Sequence, residues 1–295
     1  MKLDGRREST NVEDRRGGSG MGSGTKLGIG GIGGLIIAAL LTMFMGGDLG
    51  DVLQQAGGTM GATAGGTEQV DPGQFSEQEQ AYATFAKQIE ASTEDVWAQI
   101  FKQYGMGEYE PPVLVLYTGQ TQTACGQGSA AVGPFYCSGD QRLYLDLSFF
   151  TLMEKQMGAG GDFAYAYVIA HEVGHHIEYL TGVLQQAHQK MQSVDEATAN
   201  RYSVRLELLA DFYAGVWAHY EQKMFGSLDA DDFQEAIRCA HQIGDDYLQK
   251  QSQGFAVPEK FTHGTSEQRM KWFKKGFETG DPRQGTTFQE SDATL

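Results

Sequence analysis

FAYAYVIAHEVGHHIEYL (163–180) decides the reading of this chain, because three histidines and two glutamates are set into a long, otherwise uncharged run. His171, Glu172 and His175 form His-Glu-x-x-His. The run reads as a helix, where residues four apart share a face. Two imidazoles on one face can grip one metal ion, with Glu172 beside them as base for an attacking water. Gly174 costs the helix about 1 kcal/mol but lets another segment come close. The competing reading is a partly exposed helix with coincidental histidines, and the apolar surroundings argue against it.

Two histidines do not complete such a site, and a third protein ligand is needed. Glu207-Leu-Leu-Ala-Asp211 supplies two acids four apart in a mostly apolar helical run, Ala197 to Phe225. Buried acids are costly unless they have partners. Glu207 is the candidate third ligand. Asp211, one turn on, can accept the second ring N–H of a zinc histidine. An exposed acidic stripe is the alternative, opposed by Leu206, Leu208, Leu209, Phe212 and Trp217.

Outward from the motif, the chain has 295 residues, forty glycines and a net charge of −16. No basic patch interleaved with aromatics is present, which argues against nucleic-acid binding. Residues 1–26 are polar and read as a disordered cytoplasmic tail. Residues 27–47, LGIGGIGGLIIAALLTMFMGG, carry no charge and match one transmembrane helix. Basic residues precede that span, so the N-terminus is expected in the cytoplasm and the catalytic domain outside, periplasmic or at the cell surface. Residues 48–75 read as a Gly-rich flexible linker, 76–280 as the folded domain that carries the motif and 281–295 as a loose tail.

Within the domain, Tyr82, Phe85, Ile89, Val96, Ile100 and Phe101 recur at helical spacing and suggest two helices, the second capped at Ser92 or Thr93. Val113–Tyr117 reads as a strand, as do Arg142–Phe150 and a short stretch near Ala130–Val132. Asp231 to about Gln251 reads as one helix. Outside the cytoplasm Cys125 and Cys137 can form a disulfide; their spacing fits no compact zinc hook, and two free thiols or a metal pair are the alternatives. Cys239 lies in an apolar helical pattern and reads as a buried free thiol.

Read together, these motifs make the chain resemble the neutral zinc metallopeptidases, a family of membrane-anchored bacterial proteins. The resemblance rests on the Gly-rich span, Cys125…Gly133-Pro-Phe-Tyr-Cys137, Tyr144-Leu-Asp-Leu-Ser-Phe-Phe150, His171-Glu-Val-Gly-His-His176, Glu207-Leu-Leu-Ala-Asp-Phe-Tyr-Ala-Gly-Val-Trp217 and His263-Gly-Thr-Ser-Glu-Gln-Arg269. It implies an α+β, zincin-like metallopeptidase domain, mainly helical with a small sheet, with Glu as third ligand to Zn²⁺. It adds little about substrate; a peptide or protein substrate is the expectation from the metal-water mechanism. His263 and Arg269 resemble a Thr-His…Arg segment that returns to the site in related zincins. By chemistry, His263 could donate to an oxyanion and Arg269 could pair with Asp211; His263 could equally be a loop or capping residue. The strand Leu143–Phe149 is one candidate to bind an extended peptide as an added strand, and Ala130–Phe135 the other. Two rival functions remain at this level: a zinc hydrolase of a non-peptide amide, and a membrane-tethered scaffold or chaperone-like module. An intact Glu172 speaks against the scaffold.

Overall fold

The structure is a computed structural model that describes residues 1–17, 75–129 and 133–295. The proposed span 27–47 and nearly all of the linker lie outside the described residues, as does the strand proposed near Ala130–Val132. Among the described residues, no helix is long and apolar enough to cross a membrane.

The domain is α+β and mostly helical, built around the 163–180 run. In α3 (Asp162–Leu180) every residue from Phe163 to Gly174 is buried. A helix enclosed on all sides needs apolar neighbours all round. They come from α1 (Glu77–Tyr104), α5 (Glu196–Phe225), α6 (Asp232–Gln242) and the sheet. α1 starts at a capping box on Ser76 and ends at Gly105, whose φ of 66° closes the helix in the left-handed region. It is one helix and not two. Ser92 caps nothing; its hydroxyl donates to Glu221 and accepts from Trp217 Nε1 at 2.9 Å. Thr93 donates back to the Glu90 carbonyl.

The sheet has the order β1 (Val12–Asp14), β2 (Val113–Tyr117), β6 (Arg142–Asp146), β5 (Phe135–Cys137). β1, β2 and β6 run parallel, and β5 is antiparallel to β6. Val-Leu-Val-Leu-Tyr alternates faces: Leu114 and Leu116 join the main core, while Val115 and Tyr117 pack with Tyr144 and Cys137. Burying each such side chain stabilises by about 1.5–3 kcal/mol. A separate hairpin, β3 (Gln120–Thr123) with β4 (Gly126–Ser129), is tied to β5 by the Cys125–Cys137 disulfide. Cys239 is buried and free.

Several sequence expectations need correction. β6 stops at Asp146, and Ser148–Leu152 is a short helix, α2, followed by a wide π turn, Met153–Met157. Leu143–Phe149 therefore offers no free edge, because β6 lies between β2 and β5. The helix expected from Asp231 to Gln251 breaks at Ile243-Gly244 into α6 and α7 (Asp245–Gln253). The tail after Gly280 is not loose: Arg205 Nη1 bonds the Thr287 and Glu290 carbonyls, Trp272 Nε1 donates to Leu295 O at 3.0 Å, and Thr287 is buried.

The first seventeen residues also depart from expectation. They pack on the domain. β1 pairs with β2 in the register Glu13↔Val115. Arg6 bonds the buried Glu221 at 2.8 Å, and Arg16 is buried against Asp14. A strand and its ladder partner must share one side of any bilayer. The expected arrangement, N-terminus inside and catalytic domain outside with one crossing between them, is incompatible with this pairing.

Two close helix crossings set the site. A Cβ on Gly174 would lie 2.8 Å from the Ala210 carbonyl oxygen, so α3 and α5 meet backbone to backbone there. On α5 and α8 (Ser266–Thr279), Gly215 faces the Phe273 backbone and Gly276 faces the Phe212 backbone. The first crossing brings Glu207 to the histidines. The second brings Arg269 to Asp211.

Candidate metal centre

Nitrogen atoms of His171 and His175 and a carboxylate oxygen of Glu207 all lie within 4.8 Å of one another. Nε2 of His171 is 3.2 Å from Glu207 Oε2, and Nε2 of His175 is 3.5 Å from Oε1. The Nδ1 atoms face away and are occupied. His171 Nδ1 donates to Asp211 Oδ1 at 2.8 Å, and His175 Nδ1 donates to Glu178 Oε2 at 2.9 Å. A carboxylate behind each ring fixes the tautomer and leaves Nε2 as a lone-pair donor. Two imidazoles and a carboxylate, each with the rear of the ring already paired, fit Zn²⁺ with a position left for water.

Asp211 is fully buried and takes every nearby donor. Tyr167 Oη donates to Oδ1 at 2.5 Å, Arg269 Nε to Oδ2 at 2.8 Å, and Arg269 Nη2 to Oδ1 at 3.0 Å. Burial would raise its pKa, but Arg269 and His171 outweigh that and hold it at about 2. Arg269 thus supports the site through Asp211 while also lining the cleft.

Glu172 is buried at the cleft wall, and burial raises its pKa against the pull of the two imidazoles. The Tyr136 backbone opposes that rise with a hydrogen bond. His263 also lines the cleft. Its loop is held by Asp245, whose Oδ2 accepts three successive backbone N–H groups, from Thr262, His263 and Gly264, at 2.7–2.9 Å. Thr265 caps α8, with Gln268 completing the capping box. His176 stays out of the cluster. Its Nδ1 accepts from Tyr136 Oη at 2.9 Å, and Nε2 donates to the Glu110 carbonyl at 2.7 Å, which pins β5 to α3. Burial, partly offset by that carbonyl, lowers its pKa to about 4.

Sequence reasoning passed over three contributors. Glu178 sits three residues after His175, on the same helix face, and is fully buried. Tyr167 is four before His171 on the same face. Asp245 left no local signal, because its role depends on a loop seventeen residues away in sequence.

The cleft of about 300 Å³ runs from this cluster along Gly133–Tyr136. Among the described residues β5 ends the sheet, so it presents an edge beside the cluster.

A half-buried His-His-Glu cluster able to hold a metal ion, beside the buried Glu172, thus sits on a helical α+β scaffold. The sequence profile of the family described as "Putative neutral zinc metallopeptidase" matches residues 1–288, and the chain belongs to that family. It is 47% identical over 297 residues to "Uncharacterized protein YpfJ" of Escherichia coli K12, covering 99% of this chain and 100% of that one. It is 44% identical over 194 residues to "Uncharacterized protein Mb2605" of Mycobacterium bovis, covering 62% of this chain and 64% of that protein. "Uncharacterized protein Rv2575" of Mycobacterium tuberculosis matches to the same extent. No solved structure matches the chain.

Proposed function

We propose that this protein is a zinc-dependent metallopeptidase that hydrolyses peptide bonds with water. One observation carries the reading: both Nε2 atoms and a Glu207 oxygen lie close enough to share one ion, with Glu172 beside them in the cleft. Zn²⁺ held by His171, His175 and Glu207 would supply Lewis acidity to water and to the scissile carbonyl. Glu172 accepts a proton from the attacking water at its carboxylate and passes it to the leaving amine. A pKa raised by burial suits that exchange. His263 donates to the oxygen that gains charge, and Asp245 holds its loop in place. Asp211 and Glu178 keep the two imidazoles oriented. An extended substrate would add to the β5 edge, which supports a peptide over a small amide.

The compartment is also a proposal. The Cys125–Cys137 disulfide supports an oxidising, extracytoplasmic setting, and the apolar stretch 27–47 supports membrane attachment. With β1 paired to β2, both flanks of that stretch would lie on the same side.

The test is metal content and cleavage of a peptide library by the purified chain, with and without chelator. One zinc per chain with chelator-sensitive cleavage is expected. Cleavage that survives complete removal of metal would refute the mechanism.

A further inference from the structure

The cleft has two unlike halves. Its polar half is the metal cluster with His263 and Arg269. Those groups already have partners: Arg269 is bonded to Asp211, His263 lies 2.9 Å from the Thr262 hydroxyl, and Glu207 faces both imidazoles. The apolar half of the lining is Phe149, Met153, Met157, Val168, Ile243 and Leu248. Val168 lies one turn before His171 on α3, so this wall adjoins the reacting centre. Both methionines come from the wide π turn, Met153–Met157, a distortion that often marks functional sites. Gly133, at φ 80°, closes the wall by lying close to the Phe149 ring.

We infer that this apolar half selects substrates carrying a large apolar side chain beside the scissile bond. The inference rests on the peptidase reading above. A charged side chain set against these apolar groups loses its water and gains no hydrogen bond or counter-charge from them. A small side chain leaves the wall unfilled, and each missing methylene costs roughly 10–200-fold in discrimination. Thioether walls adapt their shape, so Leu, Met and Phe are all accepted, and no single side chain is required.

The experiment uses the full chain loaded with zinc. Peptides varied at each internal position among Ala, Leu, Phe, Asp and Lys are cleaved, and the cut bonds are mapped by mass spectrometry. Leu or Phe is expected on one fixed side of the cut, with kcat/KM at least about tenfold above Ala and with Asp and Lys lowest. Met157→Glu should raise the Lys-to-Leu ratio by about tenfold or more, and Leu248→Glu provides a second variant should the first fail to fold. A ratio on one preparation is insensitive to how much of it folded. Cleavage without apolar preference, or a ratio unmoved in both variants, overturns this inference alone. No cleavage of any peptide by zinc-loaded protein overturns the peptidase reading, and this inference with it.

Discussion

Gly174→Ala perturbs the metal centre without touching a ligand. The new Cβ would lie 2.8 Å from the Ala210 carbonyl oxygen and 2.9 Å from Ala210 Cα, whereas ordinary contact begins at 3.4 Å. Both obstacles are backbone, so no side chain can swing away. α3 and α5 must separate by about 0.6 Å at the crossing, and overpacking of this kind costs about 1–3 kcal/mol. The histidines ride on α3, and Glu207 sits on α5 one turn before Ala210. A shift of that size exceeds the ~0.2 Å tolerance of metal–ligand distances. Zinc affinity should therefore fall by at least about tenfold, in the range seen when ligand support is lost. Chelator competition measures the affinity, and urea unfolding of the metal-free protein measures the stability. Wild-type values in both would refute the argument that this backbone contact sets the ligand geometry.

Three further outcomes follow from the same structure. His176, with its pKa lowered to about 4, stabilises fully above about pH 6.5; its contribution of about 3 kcal/mol is lost as pH falls toward 4, since only the unfolded chain takes the proton there. Unfolding of metal-free protein against pH should show that loss, and His176→Gln should flatten it. Reducing Cys125–Cys137, twelve residues apart, should destabilise by about 3 kcal/mol, while buried Cys239 stays unreactive to thiol reagents until the chain unfolds. Lys2 and Lys274 are 69% and 59% exposed, so cysteines placed there should be labelled by an impermeant reagent from the same side of a membrane; labelling from opposite sides would contradict the β1–β2 pairing.

The helical core was legible because its signals are local. The uncharged run 163–170 and the histidines after it marked α3, and Gly174 marked a close approach of another segment. Asp211 could be read as a support because an acid amid leucines needs a partner. What escaped depends on distant contacts. β1 is a three-residue Val-Glu-Asp strand whose stability comes from pairing with β2 and from Arg6 on Glu221, and no local pattern carries that. Ser92 mimics a cap in sequence, yet its partners Glu221 and Trp217 lie more than 120 residues away. Residues 281–295 look loose by composition but are held by Arg205 and Trp272. Glu178 was readable in principle, being at i+3 from His175.

The central claim is that His171, His175 and Glu207 bind the metal while Glu172 performs proton transfer. Zinc affinity and turnover measured together on Glu172→Gln, Asp211→Ala and Glu207→Ala test it most directly. Glu172→Gln should keep wild-type zinc affinity and lose about 10²–10⁴-fold in rate. Asp211→Ala should weaken zinc by about 10–100-fold. Glu207→Ala should bind zinc least and lose turnover. A Glu172→Gln protein that cleaves at the wild-type rate, or a Glu207→Ala protein that binds zinc like wild type, would contradict the account.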